Sequence, residues 1–441
     1  MTHSTFSGGS FTRRGFLGLA GGAAAVAALA ACSSGGASSS STGSSGGHIT
    51  FWDMPWGTTA YNVAAKNLAT SYKPSGSDLA VKYQTIQWSG FTQTFSSAIA
   101  SNTGPAVSTG GGFQAFQFAA QGAIAYADDL LDTFKKNGTY DDFLPGVIEP
   151  FKTKHGYAAV PTQLDMRAWW YRKSLFDEVG VSLPTNWDDY LTASKALAAK
   201  GYYSFGTGAG NGNNLGAHAM VSMMINNGGG LFNADGDLDC VTTRNIEAMD
   251  VVKELVAMKA VDPGAVSYTT DNLNAQWKAK KVAMGIYAAE LDLTVGDTSG
   301  DLLVATPMTA LHGDKGTLEF LNNIMMYKHT PSQASSEAFL AYWFKNYSVL
   351  WKKKVLPSLP VLKSIADLPE FKQNAQNVKI IKEWQPVAKT YASRGTQLTP
   401  LLASIDGGQP LNTFTQTMLT GQSDSKTALA ALETAIKALQ K

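Results

Sequence analysis

Cysteine and charge are both scarce in this chain. Two cysteines in 441 residues, Cys32 and Cys240, build neither a disulfide framework nor a cysteine-held structural zinc site. Charged residues make up 16%, below the roughly 25% of ordinary soluble domains, and Gly, Ser, Thr, Asn and Gln do much of the solvating instead. Neither sign dominates, with 35 basic against 34 acidic residues and no basic run longer than Lys352-Lys353-Lys354. A nucleic-acid partner would demand clustered Lys and Arg, so none is expected. Beyond residue 31 no stretch approaches 18 uninterrupted apolar residues, the length a spanning helix needs.

Catalytic and metal-binding patterns are missing as well. The six histidines, His3, His48, His155, His218, His312 and His329, neither cluster nor form H-E-x-x-H, so no metal and no cofactor is expected. Asn233-Ala-Asp-Gly-Asp-Leu-Asp239 imitates a calcium loop, but Gly236 comes two places early and Arg244 stands where the bidentate Glu belongs; a turn at Asp235-Gly236 is the expectation. The acid pairs Asp128-Asp129, Asp141-Asp142 and Asp188-Asp189 read as solvated faces or helix starts rather than a glycosidase pair. The glycine-rich run Gly206–Gly212 fits neither G-x-G-x-x-G nor the Walker pattern, and no serine sits in a G-x-S-x-G elbow. No catalytic set emerges, and the chain is not expected to be an enzyme.

What is present begins at the N-terminus. Arg13-Arg14 precede Gly15-Phe16-Leu17, small apolar residues run on to Leu29-Ala-Ala-Cys32, and Ser33–Gly47 holds only Ser, Gly, Ala and Thr. A charged start, an apolar stretch and small residues before a cleavage point make an export signal. The paired arginines resemble a twin-arginine signal and Leu29–Cys32 resembles a lipobox. The expectation is a signal over 1–31, a diacylated Cys32, and a flexible tether over 32–47. The rest would hang on its lipid at the outer face of the cytoplasmic membrane.

From His48 on, 394 residues remain, too many for one core and comfortable for two lobes. Ile49–Trp52, Ala80–Ile86 and Ala106-Val107 read as short strands, alternating with helices over 60–72, 91–100 and 113–120. That alternation indicates βαβ units around a mostly parallel sheet, an α/β fold. Extended runs at 156–160 and 166–171 then meet near Pro161. Further helices are expected from Asn186 as N-cap to Gly201, over 243–259, from Pro331 to about 347, and at the C-terminus, where Leu429, Leu432, Ala435, Ile436 and Leu439 share a face. Ten Trp and sixteen Tyr suit a surface that covers the C–H face of a sugar while amides and carboxylates take its hydroxyls.

Tyr157-Ala-Ala-Val-Pro161, then Arg167-Ala-Trp-Trp-Tyr-Arg-Lys-Ser-Leu-Phe176, Val179-Gly180 and Leu183–Tyr190, resemble the mid-chain signature of extracellular sugar-binding proteins of ABC importers, the maltodextrin-binding-protein-like family. Lys280-Lys-Val-Ala-Met-Gly-Ile286 is similar to its "GK-x-A-M" strand, and Leu419-Thr-Gly421 to its C-terminal signature. The resemblance covers about Ile49 to the end. It implies a two-lobed periplasmic-binding-protein-like fold with a hinge and an interlobe cleft, the N-terminal lobe from 48–160 and 287–330, the C-terminal lobe from 161–286 and 331–441. It implies a monomeric receptor handing a sugar or sugar-like solute to membrane permease subunits. Cleft contacts carried over by position are Asp53, Trp56, Trp88, Gly112, Phe113, Asp165, Arg167, Tyr287, Glu290, Asn322, Trp384 and Arg394. The family's Gly-x-Trp after the A-M strand is here Ala288-Ala-Glu290, so a carboxylate replaces a stacking ring. An exported glycoside hydrolase and an adhesive lipoprotein are the alternatives from other classes.

Overall fold

The computed structural model describes residues 47–88, 91–395 and 398–440; Cys32, the expected signal and the tether up to residue 46 lie outside them. Strand β1 (His48–Asp53) is β-branched and aromatic, and Ile49 and Phe51 are fully buried. Helix α1 (Tyr61–Thr70) buries Tyr61, Ala64, Ala65, Leu68 and Ala69, the spacing of one apolar stripe. Strand β2 (Ala80–Thr85), helix α2 (Phe91–Ala100), strand β3 (Val107–Gly110) and helix α3 (Gln114–Ala120) complete the alternation. Both β2 and β3 flank β1 in parallel, with Phe51 opposite Tyr83 on one side and Val107 on the other. The mixed α/β, two-lobed architecture agrees with the fold class expected from the chain.

Two long strands then run on beyond this sheet. Thr317–Tyr327 lies antiparallel to β3 and to Val160–Arg172. The second half of Val160–Arg172 pairs instead with Met284–Ala288 and Leu302–Val304. Where two extended runs were expected to meet near Pro161, a single 13-residue strand forms. Pro161 has no N–H to give the ladder, and the register shifts beside it, between Asn322 and Asn323; a bulge is where a sheet tolerates proline.

Helix packing departs from the expected lobe boundaries. Gln333–Asn346, expected with the C-terminal lobe, lays Phe339 and Trp343 against Phe51 of β1 at ring separations of 5.3 and 5.0 Å. Residues 291–305, expected with the N-terminal lobe, pack the other way. Leu302–Val304 pairs with Trp170–Arg172, and Ala305 accepts the indole N–H of Trp384 at 2.8 Å. Burial of large aromatic faces decided the matter, and that is a property of partners, not of position along the chain.

The other half is mainly helical. Asn186, Thr242 and Asp424 cap Trp187–Ala199, Thr243–Ala257 and Ser425–Ala438 through side-chain oxygens that accept backbone N–H groups. Along the last helix Leu429, Leu432 and Ile436 are buried, whereas Leu439 is exposed. Leu215–Asn226 is buried on every side except at Leu215; a helix covered all round has no polar face and no sequence periodicity. At the imitation calcium loop, Asn233 Oδ1 accepts the N–H groups of Asp235 and Asp237, and Gly236 turns at φ +88°.

Candidate functional site

Strand periodicity aims the first side chains of the site. Asp165 and Arg167 are two residues apart on one crossing strand, and Phe320 and Asn322 two apart on the other, with Asp165 directly opposite Phe320. Alternate residues share a face, so all four face the same cavity of about 520 Å³. Gly111, Gly112 and Phe113, between β3 and α3, close it on the side of the parallel sheet. Asn323 donates its amide to the Gly112 carbonyl at 3.1 Å, which ties that loop to the crossing strand. Gly110 lets Met325 and Gln114 pack close, since a Cβ would fall 2.1 Å from the Met325 methyl and 2.9 Å from Gln114 Oε1, and both side chains would have to move.

The opposite wall is a chain of polar contacts. Arg167 holds Asp165 through both terminal nitrogens, at 2.5 and 3.2 Å, and lies over the Phe320 ring at 4.9 Å. Its Nε donates to Nδ1 of His218 at 3.1 Å. His218 Nε2 meets Asp406 Oδ1 at 2.9 Å, and Tyr391 donates its hydroxyl to the same oxygen at 3.0 Å. Burial first, and the neighbouring guanidinium second, hold the His218 imidazole below its ordinary pKa. Burial alone would raise the Asp406 carboxyl, but the hydrogen bonds from His218 and Tyr391 outweigh it and the pKa is lowered. Asp406 is therefore an ionised acceptor at the cavity wall, as charge-assisted hydrogen bonding favours. Gln114 adds a buried, unpartnered Oε1 on the facing side.

Of the positions expected from the sequence, Gly112, Phe113, Asp165, Arg167 and Asn322 line this cavity. Trp56 and Trp88 stand beside it as an edge-to-face pair at 4.9 Å, and Trp88 meets Phe91, which does line it, at 5.5 Å. Asp53 lies deeper. It is fully buried and accepts hydrogen bonds from Thr109 (2.7 Å), Tyr83 (2.9 Å) and Tyr61 (3.5 Å), and burial raises its pKa to about 6. Its place is to orient Thr109, whose hydroxyl oxygen in turn accepts the Trp56 indole N–H at 3.0 Å. Trp384 is corrected to scaffold, since only 1% of it is exposed. So is Arg394, whose guanidinium is committed to Phe232 and Asp239. Tyr287 is buried, its hydroxyl on Asn274. Glu290 opens on a second cavity.

His218, Asp406, Asn214 and Gln114 were missed. His218 sits on the unpatterned buried helix, where nothing in the sequence singles it out. A signal existed for Asp406, because Asp406-Gly-Gly-Gln-Pro410 is a turn followed by proline in the first turn of a helix.

The model of the bacterial extracellular solute-binding protein family matches residues 57–347. This chain belongs to that family. The solute-binding protein is 57% identical to a sugar transporter of Arthrobacter chlorophenolicus A6, solved with bound laminaribiose. That match covers 90% of this chain and 100% of the other, with a TM-score of 0.79. The cyclic alpha-maltosyl-1,6-maltose binding protein of Arthrobacter globiformis shares the fold at 18% identity, with a TM-score of 0.72 over 89% of this chain and 99% of that one. A Brucella abortus (strain 2308) binding protein is 22% identical over 312 residues, 69% of this solute-binding protein and 74% of that one. The latter two relatives are binding proteins by name. Among the described residues of this solute-binding protein, no helix is long and apolar enough to cross a membrane.

Proposed function

We propose that this solute-binding protein is a lipid-anchored receptor that takes a carbohydrate into the cleft between its lobes and passes it to an ABC permease, with no chemistry of its own. The observation that carries this reading is one cavity lined both by fixed acceptors, Asp165, Asp406 and Gln114, and by the aromatic rings Phe113 and Phe320. A sugar ring has hydroxyls for the first and C–H faces for the second. The likeness to a laminaribiose-bound protein at 57% identity supports a β-linked glucose disaccharide or a close homologue.

Neither carboxyl of this cavity suits the acid of a hydrolase, although burial raises the pKa of Glu290, in the neighbouring cavity, to about 8. Glycoside cleavage needs one carboxyl held protonated as the acid. Asp406 is held ionised, and Asp165 is clamped by a buried arginine.

The hinge in this reading consists of the strands Val160–Arg172 and Thr317–Tyr327, together with the connection near residues 372–375. Residues 48–160 and about 320–372 form one lobe, and about 165–316 and 375–440 the other. Solute touching Gly112 from one lobe and His218 or Asp406 from the other favours the closed form. Calorimetric titration of the purified protein with laminaribiose, paired with small-angle scattering, tests this. Saturable binding with a falling radius of gyration is expected. Absence of heat at millimolar sugar, or release of glucose, would overturn the reading.

A further inference from the structure

Charge is balanced over the whole chain but not along it. Between Lys345 and Lys389 stand nine lysines and three acids, Asp367, Glu370 and Glu383, whereas the remainder from His48 holds 24 basic and 31 acidic residues. Eight of the nine lysines are exposed, and Lys379 is half-buried. A surface built only for solubility intersperses the two signs, and a face of one sign repels itself.

The fold gathers several of these lysines. Lys354 Nζ donates to Gln373 at 2.8 Å, one residue from Lys372. Lys363, Lys372 and Lys382, from three short helices, ring one shallow depression beside half-buried Leu144, Val378 and Ile381. The carboxylate of that depression, Asp367, pairs with Lys372 at 2.8 Å, and Glu383 lies 3.9 Å from Lys379. Lys363 gives one hydrogen to the Asp141 carbonyl at 2.7 Å, and the neighbouring Asp142 carboxylate is taken up by the N–H and hydroxyl of Ser364. Among the described residues, Lys352, Lys353, Lys354, Lys363 and Lys382 form no ion pair.

All nine are lysine and none is arginine. Arginine grips a single phosphate in fixed geometry, whereas lysine is a point charge on a flexible stem. Such a set suits the diffuse negative field of a layer of phospholipid headgroups better than one defined ligand. Residues 32–47, expected as the tether, would span about 20–24 Å as a random coil. A lipid on Cys32 would therefore hold the chain beside a bilayer whose field fades over about 8–10 Å.

We propose that the face formed by Lys354, Lys363, Lys372 and Lys382, continued by Lys352 and Lys353, docks on the anionic phospholipid surface to which the chain is tethered. This rests on the anchored-receptor reading for bringing bilayer and lysines together. An acyl anchor fixes one point of the chain, and the electrostatic contact adds a choice of side. Lys354 also lines the cavity on which Glu290 opens, so docking turns that side of the receptor toward the bilayer.

The test is sedimentation of the Cys32→Ala full chain, which cannot be acylated, with phosphatidylglycerol vesicles and with phosphatidylcholine vesicles. Residues 1–31 are the same in every arm. Partitioning onto phosphatidylglycerol should exceed that onto phosphatidylcholine roughly tenfold or more at about 20 mM salt and collapse by about 300 mM. Each lysine near such a surface adds roughly fivefold, so Lys354→Gln, Lys363→Gln, Lys372→Gln and Lys382→Gln together should abolish the preference. The same loss of charge at four other exposed lysines, Lys66→Gln, Lys195→Gln, Lys200→Gln and Lys426→Gln, should weaken it less than about threefold. Unchanged melting temperatures would show both variants folded. Equal loss in the two variants, or no preference for phosphatidylglycerol, would overturn the docking face. Failure of the anchor reading shows separately, as a Cys32→Ala chain kept in cell membranes through a salt wash.

Discussion

Arg167 donates its Nε–H to Nδ1 of His218 at 3.1 Å, and this contact determines where the imidazole keeps its proton. A guanidinium can only donate, so Nδ1 must be the bare nitrogen and Nε2 must carry the hydrogen given to Asp406. Adding a second proton would set N–H against N–H, and burial opposes the charge as well. Nitrogen-15 NMR of the imidazole is expected to show the neutral Nε2–H tautomer persisting below pH 6.5. The unfolded chain accepts that proton near pH 6.5 while the fold refuses it. The contribution of His218 to stability is therefore present above that pH and is lost as pH falls.

Asp165 and Trp56 should respond differently to truncation. Asp165 is the counter-ion of an arginine that is 5% exposed. Asp165→Ala is expected to weaken solute binding by roughly ten- to a hundredfold, and also to lower the apo melting temperature by a few degrees, because a buried charge loses its partner. Trp56→Ala removes a half-buried ring from the edge-to-face pair with Trp88 and should weaken binding with a smaller thermal effect. Calorimetry and thermal unfolding of each apo variant separate the two.

Glu319 offers a test of pH dependence. It is 6% exposed with an unpartnered Oε2, and burial raises its pKa to about 7 from the ordinary 4.5. Between those values the unfolded chain is ionised there while the fold keeps the proton, so stability from this group is full below about pH 4.5 and falls as pH rises through 7. Glu319→Gln is expected to be near neutral at pH 4 and stabilising at pH 8, by about 3 kcal/mol at most. Denaturant unfolding at the two pH values measures it. An equal effect at both would assign the residue a packing role only.

The proposed lipid anchor would depend on Cys32. Cys32→Ala should release a folded protein from the membrane fraction that binds solute as before, because stable attachment requires the two chains of a diacylated cysteine. Retention in the membrane after a salt wash would contradict the lipobox reading.

The elements legible in the amino-acid sequence are those with local causes. The alternation from His48 to Ala120 follows from periodicity, and the starts of the helices at Trp187 and Thr243 follow from capping or first-turn chemistry. Gly112, Asp165 and Asn322, which line the first cavity, were named because a family resemblance carries positions along with it. Trp384 and Arg394 came by the same route and do not line that cavity, their side chains being engaged by Ala305 and Asp239.

The amino-acid sequence by itself determined the class of this protein: an exported α/β chain without catalytic or metal-binding patterns, built of segments whose spacing decides their own secondary structure. The tertiary structure alone decided the partners. It brought His218, from a helix buried all round, against Asp406, which is 188 residues away along the chain, and it moved Gln333–Asn346 to the aromatic face of β1. Local propensity acts over a few residues and can be read from them. Burial, charge pairing and a cavity's unsatisfied oxygens depend on which distant surfaces meet, and only the folded chain specifies that.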